Sequence, residues 1–173
     1  TASFFVHQIS GGSIENCTAA RDGAGVKVYA SSGKTASFSM SDSGKIKNCN
    51  TDGVSIYTIG GTSEFTMTGG TIEDNSGFGV WVDNGSAEMS GGSVKGSGSY
   101  DIYIGSGAAL TVKDTQVDGT VLNLGKITGQ GSAEFTGTVE NSGSAAAEIT
   151  GCKIHRIEHR SPYNGTIEGS PDE

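Results

Sequence analysis

A short sequence unit returns along this chain at a nearly fixed interval. Its clearest copy is the run Gly-Gly-Thr-Ile-Glu-Asp-Asn from Gly69 to Asn75, and imperfect copies begin at Gly11, Ser43, Gly91 and Asp114. A unit this short cannot bury its own apolar side chains, so consecutive copies must stack on one another to form a core. The repeat therefore predicts a solenoid.

Short segments that alternate between apolar and polar residues flank each copy. The segment before the copy ends at an apolar residue, which is Met40, Met67, Met89, Val112 or Phe135. The steps between these residues are 27, 22, 23 and 23 residues. The segment after it recurs as Val26–Val28, Val54–Ile56, Val80–Val82, Ile102–Ile104 and Leu122–Leu124. Period-two segments separated by Gly, Asn, Ser and Asp turns indicate β-strands, and nowhere do apolar residues recur at helical spacing over three turns. We predict an all-β fold, a single-stranded parallel β-helix of about seven coils with three short strands per coil.

The alignment predicts three columns of stacked inward side chains, with neighbours about 4.8 Å apart along the axis. The first column is Met40, Met67, Met89, Val112 and Phe135. The second is Ile14, Ile46, Ile72, Val94, Val117 and Val139. The third is Val28, Ile56, Val82, Ile104 and Leu124.

The residue that follows each member of the second column should point outward. It reads Glu15, Lys47, Glu73, Lys95, Asp118, Glu140 and His155, and charges of opposite sign alternate through the first four. Opposite charges on paired strands are favourable, so this column supports the alignment. The predicted β-helix domain spans residues 1–160, with residues 153–160 as a polar cap over its open end. Residues 161–173 are predicted to be a tail or linker.

Two of the three cysteines occupy the same position of successive repeats. Cys17 and Cys49 each lie three residues after a member of the second column. Their spacing fits either a disulfide or a stack of buried free thiols, and we favour free thiols. Cys152 has no equivalent in the repeat.

An aromatic pair marks the outward side of the third strand. Trp81 and Tyr103 should lie side by side on adjacent coils as an exposed flat pair, with Tyr57 and Asp83 beside them. Exposed aromatic rings with polar neighbours can stack on sugars or anchor a protein partner. These four residues are the predicted ligand-binding site.

Composition and motifs argue against several function classes. The net charge of −8 argues against a nucleic-acid partner, and no stretch approaches the roughly 20 apolar residues of a membrane span, so no direct membrane insertion is expected. No Cys-x-x-Cys motif or histidine-bearing cluster suggests a metal or cofactor. Asp52, Asp83 and Asp101 flank the third strand at different register positions, so we interpret them as solvated turn acids and predict no catalytic residue.

The Gly-Gly-x-Ile unit, together with the following Gly-x-Gly-Val-x-Val segment from Gly77 to Val82, resembles the repeats of bacterial surface proteins that form right-handed parallel β-helices. Adhesin-like and polymorphic outer-membrane proteins belong to this group, and the pectate-lyase-like superfamily is a looser match. The resemblance covers most of residues 10–157 and transfers no catalytic residue. It implies an extracellular or cell-surface location and a passive or glycan-related role.

These observations predict a noncatalytic, adhesin-like β-helix module that binds a glycan or a protein through its aromatic face. The alternative is a fragment of a carbohydrate-active β-helix enzyme, either a polysaccharide lyase or a glycoside hydrolase. Because the ends of a β-helix expose unpaired strand edges, end-to-end self-association is also expected to be open to this chain.

Overall fold

A computed structural model describes residues 4–20 and 25–170 of the chain. These residues form eighteen strands in one continuous sheet, every pairing between strands is parallel, and no helix occurs in the described ranges. The sheet winds around a single apolar core. The predicted all-β parallel β-helix is therefore confirmed.

Each coil contributes one strand, or part of a strand, to each of three faces. The first face contains β1 (Phe4–Ile9), β4 (Thr35–Met40), β7 (Thr62–Met67), the second halves of β9 (Val80–Met89) and β11 (Ile102–Lys113), β14 (Lys126–Gln130), β16 (Ala146–Thr150) and β18 (Thr166–Ser170). The second face contains β2 (Ser13–Glu15), β5 (Lys45–Lys47), β8 (Thr71–Glu73), β10 (Ser93–Lys95), β12 (Gln116–Val117) and the beginnings of β15 (Glu134–Gly143) and β17 (Lys153–Tyr163). The third face contains β3 (Val26–Ser31), β6 (Val54–Ile59), the beginnings of β9 and β11, β13 (Val121–Asn123) and the remainders of β15 and β17. This arrangement gives the predicted seven coils, and β18 begins an eighth.

The predicted core columns are confirmed over the first coils. On the first face Met40 pairs with Met67, Met67 with Met89 and Met89 with Val112. The second column is continuous from Ile14 to Val117, and the third from Val28 to Ile104. Most of these side chains are completely buried, as the stacking requires.

The last predicted member of each column is wrong. Val112 pairs with Gly129 rather than stacking on Phe135, and Phe135 follows Val117 in the second column. Val139 belongs to the third face, where it pairs with Val121. The third column continues through Asn123 rather than Leu124.

A shortened turn explains these errors. Seven residues separate the buried Val94 of the second face from the buried Ile102 of the third face, but only three separate Val117 from Val121. The coils after residue 113 are therefore shorter than the coils before it. An alignment that assumes a constant repeat length therefore assigns each column to a residue that lies too far along the chain.

The core also becomes polar where the coils shorten. Asn123 and Asn141 occupy neighbouring inward positions of the third face and are fully buried. The Asn123 Nδ2 donates to Asn141 Oδ1 at 2.8 Å and to the Ala146 carbonyl at 3.1 Å, while Gly125 N donates to Asn123 Oδ1. The amide of Asn123 can replace an apolar residue here because the backbone and the Asn141 amide satisfy its hydrogen bonds.

The predicted charge column is confirmed where the second face is regular. Glu15 faces Lys47 at 3.2 Å, and Glu73 faces Lys95 at 3.4 Å. Such partly exposed ion pairs contribute at most about 1 kcal/mol each. Glu140 instead lies on the third face, paired with Leu122 and Glu158.

The chain continues the β-helix beyond the predicted domain boundary. Residues 153–160 belong to β17 and pair with β15 rather than forming a cap, and β18 pairs with β16. Pro162 lies between Arg160 and Tyr163, where the register of β17 shifts, so its lack of an N–H interrupts no ladder hydrogen bond. This proline therefore does not end the regular structure. Residues 171–173 of the predicted tail lie outside the described residues.

The second glycine of the Gly-Gly motif lies where adjacent coils approach most closely. Gly92 has a φ of 86°, and a Cβ on it would lie 2.4 Å from the Gly70 carbonyl oxygen and 2.6 Å from Met67 Cε. A Cβ added to Gly70 would clash with the Gly44 carbonyl oxygen in the same way. The motif is therefore required by the stacking, since both the backbone conformation and the available space exclude a side chain.

Gly92→Ala should lower the free energy of unfolding by at least about 2 kcal/mol, because it adds a steric clash to a backbone strain of about 1 kcal/mol. Gly12→Ala is the matched control, since Gly12 holds the same motif position with a φ of 79°, but a Cβ added there would meet no atom within 4 Å. Urea unfolding of both variants measures the difference. Equal destabilisation of the two would contradict the role of coil stacking.

Candidate functional site: an aromatic cluster

The structure brings Trp81 and Tyr103 together on the third face, as predicted from the sequence. They are paired in register on adjacent coils and both are half-buried. Their rings, however, meet edge to face, with centroids 6.4 Å apart and planes at 78°. The expected flat pair is wrong because the ring of Phe78 packs against both, 5.8 Å from Trp81 and 5.3 Å from Tyr103.

Two further aromatic residues complete the site. Phe78 and Tyr100 lie in the turns that lead into β9 and β11, and their rings are nearly parallel, 6.2 Å apart with an interplanar angle of 16°. We call Phe78, Trp81, Tyr100 and Tyr103 the aromatic cluster. Sequence reasoning missed Phe78 and Tyr100, although each stands two residues before the third-face strand in consecutive repeats.

A buried carboxylate holds Phe78 in position. Asp52 is only 4% exposed, and its Oδ1 accepts a hydrogen bond from the Phe78 backbone N–H at 3.0 Å. Its Oδ2 accepts from the Ser55 hydroxyl at 2.7 Å, and Ser55 is the register partner of Trp81. Gly77 allows this approach, because a Cβ there would lie 2.5 Å from Asp52 Oδ1. Asp52 therefore links the turn that carries Phe78 to the strand beneath the cluster.

A second buried carboxylate, Asp101, supports the turn that carries Tyr100. Asp101 is 2% exposed, and its two oxygens accept hydrogen bonds from the backbone N–H groups of Ser97 at 2.9 Å and Gly119 at 2.7 Å. Burial raises the pKa of the Asp101 carboxyl above its usual value. The interpretation of Asp52 and Asp101 as solvated turn acids is therefore wrong.

The remaining predicted residues, Tyr57 and Asp83, lie at the margin of the cluster. Tyr57 is paired with Tyr29, and their rings stack 5.9 Å apart at 15°. Burial, followed by the negative charge of the nearby Asp83, raises the pKa of the Tyr103 phenol. The phenol therefore stays protonated at neutral pH and can both donate and accept hydrogen bonds. The site thus combines apolar ring surface with a carboxylate and a hydroxyl group.

The structure also places Cys17 and Cys49 in equivalent turns of adjacent coils. Both are free thiols here, and the Cys49 sulfur donates a weak hydrogen bond to the Lys47 carbonyl at 3.6 Å. Burial raises the pKa of the Cys49 thiol above its usual value. In the next coil the same position is held by Asn75, whose Oδ1 accepts from the Cys49 backbone N–H at 3.0 Å.

Within the described ranges, no three His, Cys, Asp or Glu side chains are grouped in a way that could hold a metal ion. The same part of the chain contains no helix with the length and hydropathy needed to cross a membrane.

Comparison with protein families decides the classification. The model of the right-handed β-helix region matches residues 1–117, more than half of the chain. The chain belongs to this right-handed β-helix family. Searches against curated proteins and against solved structures returned no match. The family accounts for the coiled architecture, and it agrees with the hand of the predicted solenoid. The part of this β-helix that carries the aromatic cluster, residues 78–103, lies within the matched segment.

The raised pKa of Asp101 should appear in the pH dependence of stability. The folded protein binds the Asp101 proton more tightly than the unfolded chain, in which the pKa of this carboxyl has its ordinary value of 3.8. The contribution of Asp101 to stability is therefore complete below pH 3.8 and decreases as pH rises through the folded-state pKa. The unfolding free energy of Asp101→Asn, measured relative to the unmodified protein, should therefore rise across this interval. Chemical unfolding at a series of pH values tests this.

Asp114→Asn is the control of opposite sign. Hydrogen bonds from the Ser132 backbone and hydroxyl lower the pKa of Asp114, so the stability of this variant relative to the unmodified protein should fall as pH rises. If the stability of both variants relative to the unmodified protein changed in the same direction with pH, the two carboxylates would not have opposite electrostatic environments.

Thiol titration tests the state of the cysteines. We expect three reactive thiols after unfolding without reductant, and slow reaction of Cys49 and Cys152 in the folded protein because both are buried. A count of one thiol after unfolding would show instead that two of the three cysteines form a disulfide.

Proposed function

We propose that this chain is a noncatalytic, extracellular or cell-surface β-helix module that binds glycans through the aromatic cluster. The observation that carries the proposal is the gathering of four half-buried rings from two adjacent coils on one outer face. Aromatic rings provide apolar faces for the C–H groups of sugars, and polar neighbours bind the hydroxyl groups.

The rigidity of the cluster supports a binding role. Trp81 and Tyr103 project from paired strands, and the turn that carries Phe78 is held by the buried Asp52. Side chains ordered before binding lose little conformational entropy when a ligand arrives. A glycan can then be bound with modest contact area.

The charge of the chain indicates which glycans fit. At a net charge of −8, polyanionic chains are repelled, so neutral or amino-bearing sugars are favoured. Asp83 and the Tyr103 phenol supply acceptor and donor groups beside the rings. A protein surface rich in apolar anchors is the other partner that such a cluster could accept.

Trp81 is the only tryptophan, so its fluorescence reports directly on the site. Titration with a panel of neutral, amino-bearing and acidic oligosaccharides should change the emission for members of the first two groups. Calorimetry with a responding sugar should show that Trp81→Ala weakens binding at least about tenfold, a loss of about 1.4 kcal/mol, whereas Trp81→Phe retains most of the affinity.

The matched control is Tyr29→Ala, which removes a 46% exposed ring from the same face but from outside the aromatic cluster. It should leave affinity within about twofold of the unmodified protein. Unaltered affinity in Trp81→Ala would reject the aromatic cluster as the binding site.

The same incubations distinguish a binding module from an enzyme. Oligosaccharides recovered with unchanged mass support the noncatalytic role. Cleavage products would favour the carbohydrate-active alternative, and attention would turn to the open groove of about 260 Å³ on the first face, where Glu64 and Glu88 are exposed on neighbouring coils. Abolition of cleavage in Glu88→Gln would then identify that groove as the active site.

A further inference from the structure

The turns that join the second and third faces stack on one another in three successive coils. They are residues 48–53, 74–79 and 96–101 of the second, third and fourth coils. In the fourth coil, Gly98 N donates to the Asn75 carbonyl at 2.8 Å and Ser99 N donates to the Gly77 carbonyl at 3.0 Å. The third-coil turn makes the same two bonds to the second-coil turn. Each turn therefore presents two carbonyl acceptors to the turn of the next coil.

The turn of the fourth coil has no such successor. The corresponding turn of the fifth coil contains only residues 118–120. In the repeat register, the carbonyls of Ser97 and Ser99 take the positions that the Asn75 and Gly77 carbonyls hold in the third coil. Neither carbonyl accepts a hydrogen bond from another described residue, and Ser99 is exposed. The stack of turns thus ends in unpaired acceptors in the middle of the β-helix, where paired coils continue on both sides.

The rings of Phe78 and Tyr100 follow the same stacking as the turns that carry them. They hold equivalent positions in the third and fourth coils, and their planes are within 16° of parallel at a centroid distance of 6.2 Å. Phe78 therefore covers one face of the Tyr100 ring. The other face is turned toward the fifth coil, where the short turn supplies no ring. We call this face of Tyr100, together with the carbonyls of Ser97 and Ser99, the acceptor shelf.

The chemistry of the acceptor shelf favours a cationic group that donates hydrogen bonds. Backbone carbonyls only accept, so a group that binds them must donate. Burial and, after it, the negative charge of the nearby Asp118 raise the pKa of Asp101, so two carboxylates lie close together beside the shelf. Lys95, at the start of the same turn, is already paired with Glu73 at 3.4 Å. An ammonium group carries several donors and a positive charge, and the face of an aromatic ring also attracts it.

We propose that the acceptor shelf is the subsite for the amino group of an amino sugar. The inference rests on the proposed glycan binding and assigns the preferred class of glycan. The sugar ring lies on the uncovered face of Tyr100 and continues the stack that Phe78 begins. Its ammonium group donates to the Ser97 and Ser99 carbonyls, in charge-assisted hydrogen bonds. The ligand thereby takes the place of the long turn that the fifth coil lacks.

Two glucose oligomers of the same length and linkage test the preference, one with hydroxyl groups and one with amino groups at carbon 2 of each unit. Calorimetry at a pH where the amines are protonated should show that the amino form binds at least about tenfold more tightly. Equal affinities would overturn the inference, while a loss of both affinities in Trp81→Ala would still support glycan binding by the aromatic cluster. Failure of both oligomers to bind would reject the proposed function together with this inference.

Ser99→Lys tests the location of the subsite, because it places a positive charge at the exposed edge of the acceptor shelf. It should weaken binding of the amino form at least about tenfold and change affinity for the hydroxyl form less than about threefold, which also shows that the variant is folded. Ser99→Gln, which adds bulk without charge, should keep the preference for the amino form.

Ser86→Lys is the control for net charge, since it adds the same charge at an exposed position of the first face. It should leave the ratio of the two affinities within about twofold of that of the unmodified protein. A preference for the amino form that survives Ser99→Lys would overturn the proposal. An equal reduction by the two lysine variants would do so as well, because the preference would then follow from the net charge of the chain alone.

Discussion

The parallel stacking of equivalent residues, about 4.8 Å apart in successive coils, is the constraint on which the rest of this structure depends. Each inward residue is covered by its equivalents in the coils on either side, so Ile46, Ile72 and Met67 are completely buried in a chain whose strands have only three to six residues there. The same constraint leaves no space for a Cβ at Gly70 or Gly92. The burial of the core residues and the glycines in the turns therefore both follow from the spacing between coils.

The sequence predicted the fold class, the number of coils and the register of the first coils because these depend on short-range patterns. Alternation identifies strands, and Gly-Gly followed by Ile identifies the turn into the second face. Prediction failed after Val117 because the turn between the second and third faces shortens there. In a stacked array, a change in one turn displaces every later residue of the alignment. A constant interval consequently places Phe135 in the wrong column.

The candidate site was predictable only in part. Trp81 and Tyr103 follow from strand alternation, but Phe78 and Tyr100 lie in turns, where alternation carries no information. The burial of Asp52 and Asp101 also could not be deduced, because it depends on donors that meet only in the folded chain. Asp52 accepts from the Phe78 N–H and the Ser55 hydroxyl, and Asp101 accepts from two backbone N–H groups. These carboxylates accept hydrogen bonds that the turns would otherwise leave unsatisfied, which explains why acidic residues occupy interior positions.

The long turns between the second and third faces carry the most distinctive side chains of the molecule, and they are absent from the later described coils. Three residues between Val117 and Val121 cannot form the loop that carries Tyr100 in the preceding coil. The cross-section of the solenoid therefore decreases immediately after the fourth coil, and the aromatic cluster lies beside a step in the outer surface. Because the strands of the second and third faces remain paired across this change in turn length, the outer surface beside the aromatic cluster can be remodelled in evolution without interrupting the stack of coils.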